Sequence, residues 1–209
     1  SVVKGNAGSP YAIRDYYDVC PDLAVNVENR MKEFEELIKR THKAGLKVII
    51  DFVPNHVARE YKSDKKPRGV KDLGEGDDVN LFFHNQNNFY YIAYPFMPQF
   101  EMNCPYNEFP AKATGNNRFD ASPTINDWYE TVKLNYGVDF SDGRVVNRFD
   151  PMPNTWTKMR DILMFWSKKG VDGFRCDMAE MVPVDFWHWV IPEVKREFKN
   201  LIFIAEVYN

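Results

Sequence analysis

Three times the chain runs a helical stripe of apolar side chains through a turn and into a short strand with a carboxylate at or near its end. In the first unit Met31, Phe34, Leu37, Ile38 and Thr41 fall on one face of a helix predicted for 30–44. Gly45 closes it, and residues 46–53, rich in branched side chains, form a strand that carries Asp51. The second stripe is Met159, Ile162, Leu163 and Trp166, followed by Gly170 and a strand over 171–176 that runs into Asp177. The third is Trp187, Val190, Ile191, Val194 and Phe198, then a strand over 201–205 and Glu206. Strands separated by helices imply a parallel sheet, because parallel neighbours need a helical crossover.

Asp177 and Glu206 lie 29 positions apart, about one strand–helix unit, whereas Asp51 and Asp177 lie 126 apart. Residues 57–150 account for the excess. They carry charge runs, many prolines and scattered aromatics such as Phe89, Tyr90, Tyr91, Trp128 and Tyr129. So many aromatics predict an ordered, irregular insertion with a few short strands rather than a linker. The expected organisation is therefore 1–56 (a loop to residue 28, then helix and strand), an insertion over 57–150, and a return to the repeating unit over 151–209. Carboxylates at one edge of a parallel sheet are where (β/α)8 barrels place their chemistry. Only three strands are evident, so the α/β chain is read as part of a TIM (β/α)8 barrel, with a doubly wound open sheet as the alternative.

Composition narrows the function. With 209 residues, 44% hydrophobic, 27% charged and a mean hydropathy of −0.51, the chain reads as a soluble globular protein. A net charge of −3 without a long basic run argues against a nucleic-acid surface. No apolar stretch approaches the roughly 18 residues of a membrane span. The N-terminus, Ser-Val-Val-Lys-Gly, has neither an initiator methionine nor the apolar core of a secretory signal, so a processed or excised chain is expected and the compartment stays open. Cys20, Cys104 and Cys176 form an odd, widely spaced set, which disfavours a disulfide framework or a structural zinc site. Aromatics reach 15%, many of them in polar sequence, and flat rings with polar edges suit sugars.

The candidate chemistry sits at the strand ends. Arg175 and Asp177 alternate onto one side of their strand, so the guanidinium keeps that carboxylate ionised and oriented; a plain structural ion pair is the competing reading. Asp51, Asn55 and His56 cluster at the end of the first strand and offer both donors and acceptors. Capping and turn formation would explain them equally. Asp177 and Glu206 on neighbouring strands suit glycoside cleavage with retention, which needs two carboxyls roughly 5–5.5 Å apart. On that reading Asp177 is the nucleophile, and Glu206, its pKa raised by the neighbouring anion, is the proton donor.

These residues together resemble the alpha-amylase family of glycoside hydrolases (glycoside hydrolase family 13). Asp51-Phe52-Val53-Pro54-Asn55-His56 is similar to its first signature, Asp-x-Val-x-Asn-His, and Gly173-Phe174-Arg175-Cys176-Asp177 to the second, which carries the nucleophile. Glu206 stands where the family has its acid/base glutamate. Pro10–Tyr16 resembles the Gly-Tyr-x-x-x-Asp-Tyr loop after the second barrel strand, which implies that Tyr11 stacks on the sugar. Arg148-Phe149-Asp150-Pro151 resembles, more weakly, the signature that closes the inserted domain B. The resemblance implies barrel strands three to five with domain B after strand three. It also implies an alpha-glucan substrate such as starch, and contacts to it from Tyr11, Asp51, His56 and Arg175. A calcium site shared by Asn55 is part of the same pattern, with no organic cofactor.

Two departures stand out. The family's third catalytic Asp has no counterpart in this sequence, so the remainder of a barrel is the expected partner and the 209 residues alone are expected to be inactive. Glu180 and Met181 replace a frequent Lys-His pair after the nucleophile. Two further readings remain beside the glycosidase: a non-catalytic glucan-binding or assembly subunit, and a metal-dependent barrel lyase or racemase using the strand-end carboxylates.

Overall fold

The computed structural model describes residues 3–4, 8–102 and 105–208; Gly5, Cys104 and Asn209 lie outside the described residues. The principal elements, in chain order, are α1 (Arg30–Lys43), β1 (Ile49–Phe52), β2 (His56–Ala58), β3 (Thr131–Lys133), α2 (Asn154–Lys168), β4 (Gly173–Cys176), α3 (Val184–Glu197) and β5 (Ile202–Ala205).

β4 lies between β1 and β5, and both pairings are parallel. Gly173 is level with Ile49 and Ile202, and Cys176 with Phe52 and Ala205. The backbone ladder continues past the strand ends: Asp177 N–H donates to the Phe52 carbonyl at 2.8 Å and Glu206 N–H to the Cys176 carbonyl at 3.0 Å. Asp177 and Glu206 are thereby placed side by side. Asp51 is inside β1 and level with Arg175, one pleat below them. The first strand is thus shorter than the expected 46–53, and its carboxylate does not sit at its tip.

The stripes predicted from sequence make the core. Ile38, Met159, Ile162, Leu163, Trp166, Val190 and Val194 are buried with Ile50, Phe52, Phe174 and Cys176 in one cluster. Each such side chain contributes about 1.5–3 kcal/mol through burial. Gly45 and Gly170 end their helices at φ of 75° and 97°, a left-handed conformation that side chains with a Cβ disfavour. The sheet, expected to be buried, is packed on its helical face along β1 and β4, while Ala205 at the end of β5 is exposed there. On its other face Ile49 and Ile204 are 37% and 46% exposed.

Residues 57–150 hold short antiparallel ladders: β2 with β3, Tyr91–Ile92 with Ala111–Lys112, and Val138–Asp139 with Val146–Asn147. Val57, Phe89, Tyr91, Val132, Leu134 and Tyr136 from this stretch join the main core. The N-terminal stretch, expected as loop, contains an antiparallel pair, Val3–Lys4 with Ile13–Asp15, and two 3-10 turns at Pro21–Leu23 and Val27–Asn29. Buried Ala12, Ile13, Tyr16 and Tyr17 tie it down, and the Tyr16 hydroxyl donates to the Val53 carbonyl. Among the described residues no helix is long and apolar enough to cross a membrane.

Candidate active site

Strand alternation points Arg175 and Asp177 the same way, and the parallel register brings Asp51 and Glu206 alongside. Arg175 joins all three carboxylates. Its Nη1 donates to Asp177 Oδ1 at 2.9 Å and to Asp51 Oδ1 at 3.2 Å, and its Nη2 pairs with Glu206 Oε1. Asp177 is 6% exposed, and its carboxyl hydrogen-bonds that of Glu206. Glu206 also accepts from the Met178 N–H at 3.2 Å and from the Tyr208 hydroxyl at 2.8 Å.

This environment reverses the protonation order expected from sequence. Burial is the largest influence on Asp177. Together with the hydrogen bond and repulsion from Glu206 it pushes that carboxyl up to about 6, against the opposing pull of Arg175. Glu206 is more open. The Tyr208 hydroxyl, the Met178 N–H, Asp177 and Arg175 favour its ionised form and hold it below the usual range, against a smaller effect of burial. A hydrogen bond between the two carboxyls needs a proton on one of them, and burial favours it on Asp177.

A cleft of about 290 Å³ opens over the pair, lined by Tyr11, His56, Trp128, Asp177, Glu206 and Tyr208 among others. The Arg175 guanidinium lies 5.7 Å from the Tyr11 ring centroid, and the His56 and Trp128 rings are 5.3 Å apart. A larger cavity, about 1160 Å³, is lined by Met178–Val182 among others but by neither Asp177 nor Glu206. The chemistry therefore favours the smaller one.

His56 is 3% exposed and held neutral. Burial and then the charge of Lys133 push it down to about 4, opposed by a hydrogen bond to the Tyr11 backbone. Its Nδ1 faces Asn55 Nδ2, a donor, at 3.1 Å, so the proton resides on Nε2. Asn55 is fully buried: Nδ2 donates to the Gly115 carbonyl at 2.8 Å, and Oδ1 accepts from the Lys133 ammonium. The same ammonium donates to the Met181 carbonyl at 3.2 Å. Burial pushes Lys133 down to about 7, while these acceptors favour its charged form.

The fit to metals follows from these donors. Calcium needs six to eight oxygens at roughly 2.3–2.6 Å, yet the oxygens at Asn55 and Met181 already accept from a cation. At the strand ends Arg175 stands among the carboxylates where a divalent ion would have to sit. No group of three or more His, Cys, Asp and Glu among the described residues could hold a metal.

The structure thus brings together Asp177, Glu206, Arg175, Asp51, Tyr11 and His56, with Asn55 behind them. Residues 148–151 are not among those lining the cleft; Arg148 instead approaches Asp139 at 3.8 Å. Sequence reasoning noted Trp128 and Tyr129 only as aromatics of the insertion, and missed Tyr208 and Lys133. Tyr208 was findable, because it follows Glu206 by two residues. Lys133 carried no sequence signal of its partners.

Comparison with known proteins adds a family. Residues 4–200 match the family model described as alpha amylase, catalytic domain. Alpha-amylase 3 of Dictyoglomus thermophilum is 26% identical over 205 residues, which cover 95% of this chain and 33% of that protein. The amino acid transporter heavy chain SLC3A1 of Rattus norvegicus is 25% identical over 172 residues, 82% of this chain and 21% of that one. Among solved structures, an alpha-amylase from Lactobacillus plantarum superposes with a TM-score of 0.56 at 25% identity, covering 98% of this chain and 34% of its own. The chain spans about a third or less of the length of each of these relatives.

Proposed function

The chain belongs to the alpha-amylase catalytic-domain family, and on that premise we propose that it is a segment of a longer alpha-glucan hydrolase that works by retaining double displacement. In this reading β1, β4 and β5 are strands three to five of a (β/α)8 barrel, and residues 57–150 are its domain B. The open face bearing Ile49, Asp51, Arg175 and Ile204 would be the barrel interior.

One observation carries the proposal: Asp177 and Glu206 sit level on adjacent parallel strands, bound to one arginine beneath an aromatic-lined cleft. Asp177 attacks the anomeric carbon while Glu206 protonates the departing glycosidic oxygen; water, deprotonated by Glu206, then releases the sugar from Asp177. A sugar entering the cleft would separate the two carboxyls to roughly the 5–5.5 Å that retention needs. It would also cover Glu206, and withdrawal from water raises a carboxyl's pKa. The shared proton then moves to Glu206, and Arg175 keeps Asp177 ionised. Tyr11 and Trp128 offer faces for the ring; the His56 edge borders the cleft, and Asp51 acts one pleat below through its ion pair with Arg175.

Asp177→Asn in the full-length protein should lower maltooligosaccharide cleavage by at least about 10⁴-fold, and proton NMR of the native reaction should show the α-anomer first. Retained turnover by the variant, or initial release of the β-anomer, would sink the assignment. A non-catalytic assembly role is favoured by the likeness to the rat transporter heavy chain. It requires that the native protein release no sugar from any alpha-glucan.

A further inference from the structure

We propose that the Lys133 ammonium is a built-in cation standing in the place of a divalent metal, joining the insertion to the loop that follows β4 without calcium. Three segments far apart in sequence meet at this nitrogen. Asn55 follows β1, Lys133 ends β3 in the insertion, and Met181 closes the 3-10 turn Ala179–Met181. Lys133 is 5% exposed and Asn55 is fully buried. The ammonium donates to Asn55 Oδ1 and, at 3.2 Å, to the Met181 carbonyl.

Two oxygens converging from separate segments on a buried position are what a bridging cation requires, and here a covalently attached one supplies the charge. A divalent ion at the same oxygens would have to displace the ammonium they already accept from, and neither Asn55, Lys133 nor Met181 offers a carboxylate to offset the repulsion. Asn55 is fixed at both ends, because Lys133 only donates and the Gly115 carbonyl only accepts. Asn55 Nδ2 in turn meets His56 Nδ1 at 3.1 Å, so the bridge also sets the imidazole that borders the cleft. None of this depends on Asp177 being a nucleophile, so the junction and the chemistry can be tested apart.

Hydrogen–deuterium exchange on the full-length protein, read by mass spectrometry, tests the bridge. After exhaustive dialysis against chelator, peptides covering 53–58, 131–135 and 179–182 should exchange as they do in millimolar calcium chloride. Lys133→Met, which keeps the stem and removes the charge, should speed exchange in the 53–58 and 179–182 peptides about tenfold or more, whether or not calcium is present. Calcium-dependent protection of those peptides in the native protein would overturn the proposal. So would a folded Lys133→Met variant with unchanged exchange. If that variant does not fold, the native comparison alone decides.

Discussion

Asp177 is buried beside a guanidinium and Glu206 is open beside a hydroxyl, so the two carboxyls titrate as a pair with well-separated steps. In the proposed reaction the productive form carries one proton for the two. It is lost as pH rises through the upper step, about 6, and doubly protonated enzyme accumulates below the lower step, which lies under the usual glutamate range. The pH profile of kcat/KM should therefore be bell-shaped, with its basic limb near 6. Tyr208→Phe removes the largest influence that keeps Glu206 ionised, so its acidic limb should move to higher pH. Stability follows the same sign. The folded state raises the Asp177 pKa, so ionising it costs stability as pH climbs from about 4 toward 6. Asp177→Asn should thus stabilise the fold at pH 8 relative to pH 4, by an amount of the order of 1 kcal/mol, read from urea denaturation at both pH values. Which carboxyls meet was legible in the sequence, since strand alternation and unit spacing bring Arg175, Asp177 and Glu206 together. Which of them holds the proton was not, because it depends on burial and on Tyr208, and neither is visible in a periodicity.

The helices and strands were the most legible elements, because each carries a stripe that the core then buries. Leu37 is the exception: it fits the α1 stripe yet is 46% exposed, since the buried contact narrows to Ile38. The N-terminal segment was less legible. Its order comes from long-range contacts such as Trp166 Nε1–H donating to the Tyr16 carbonyl at 2.7 Å, which no local pattern announces. Trp166 is 2% exposed and links α2 to that segment. Trp166→Ala should cost about 3–5 kcal/mol from the cavity and the orphaned carbonyl, measured by urea denaturation of the full-length protein. An unchanged midpoint would mean that α2 does not pack as described.

At the scale of the whole molecule, the sheet is packed against helices on one face along β1 and β4, and is open on the other. The exposed Ile49, Asp51 and Ile204 face side leaves Arg175 and its carboxylates walled on one side only. Further strands would complete that wall, so the 209 residues by themselves should show no measurable maltooligosaccharide hydrolysis, and turnover by the isolated chain would contradict the partial-barrel reading. Retention by the proposed route requires that Asp177 become covalently glycosylated during turnover. Incubating the full-length protein with a 5-fluoro-α-glucosyl fluoride, whose intermediate hydrolyses slowly, and mapping the adduct by mass spectrometry of proteolytic peptides decides this. A fluoroglucosyl group on Asp177 is the expected result. A label on any other residue, or product release with inversion and no adduct, would contradict it.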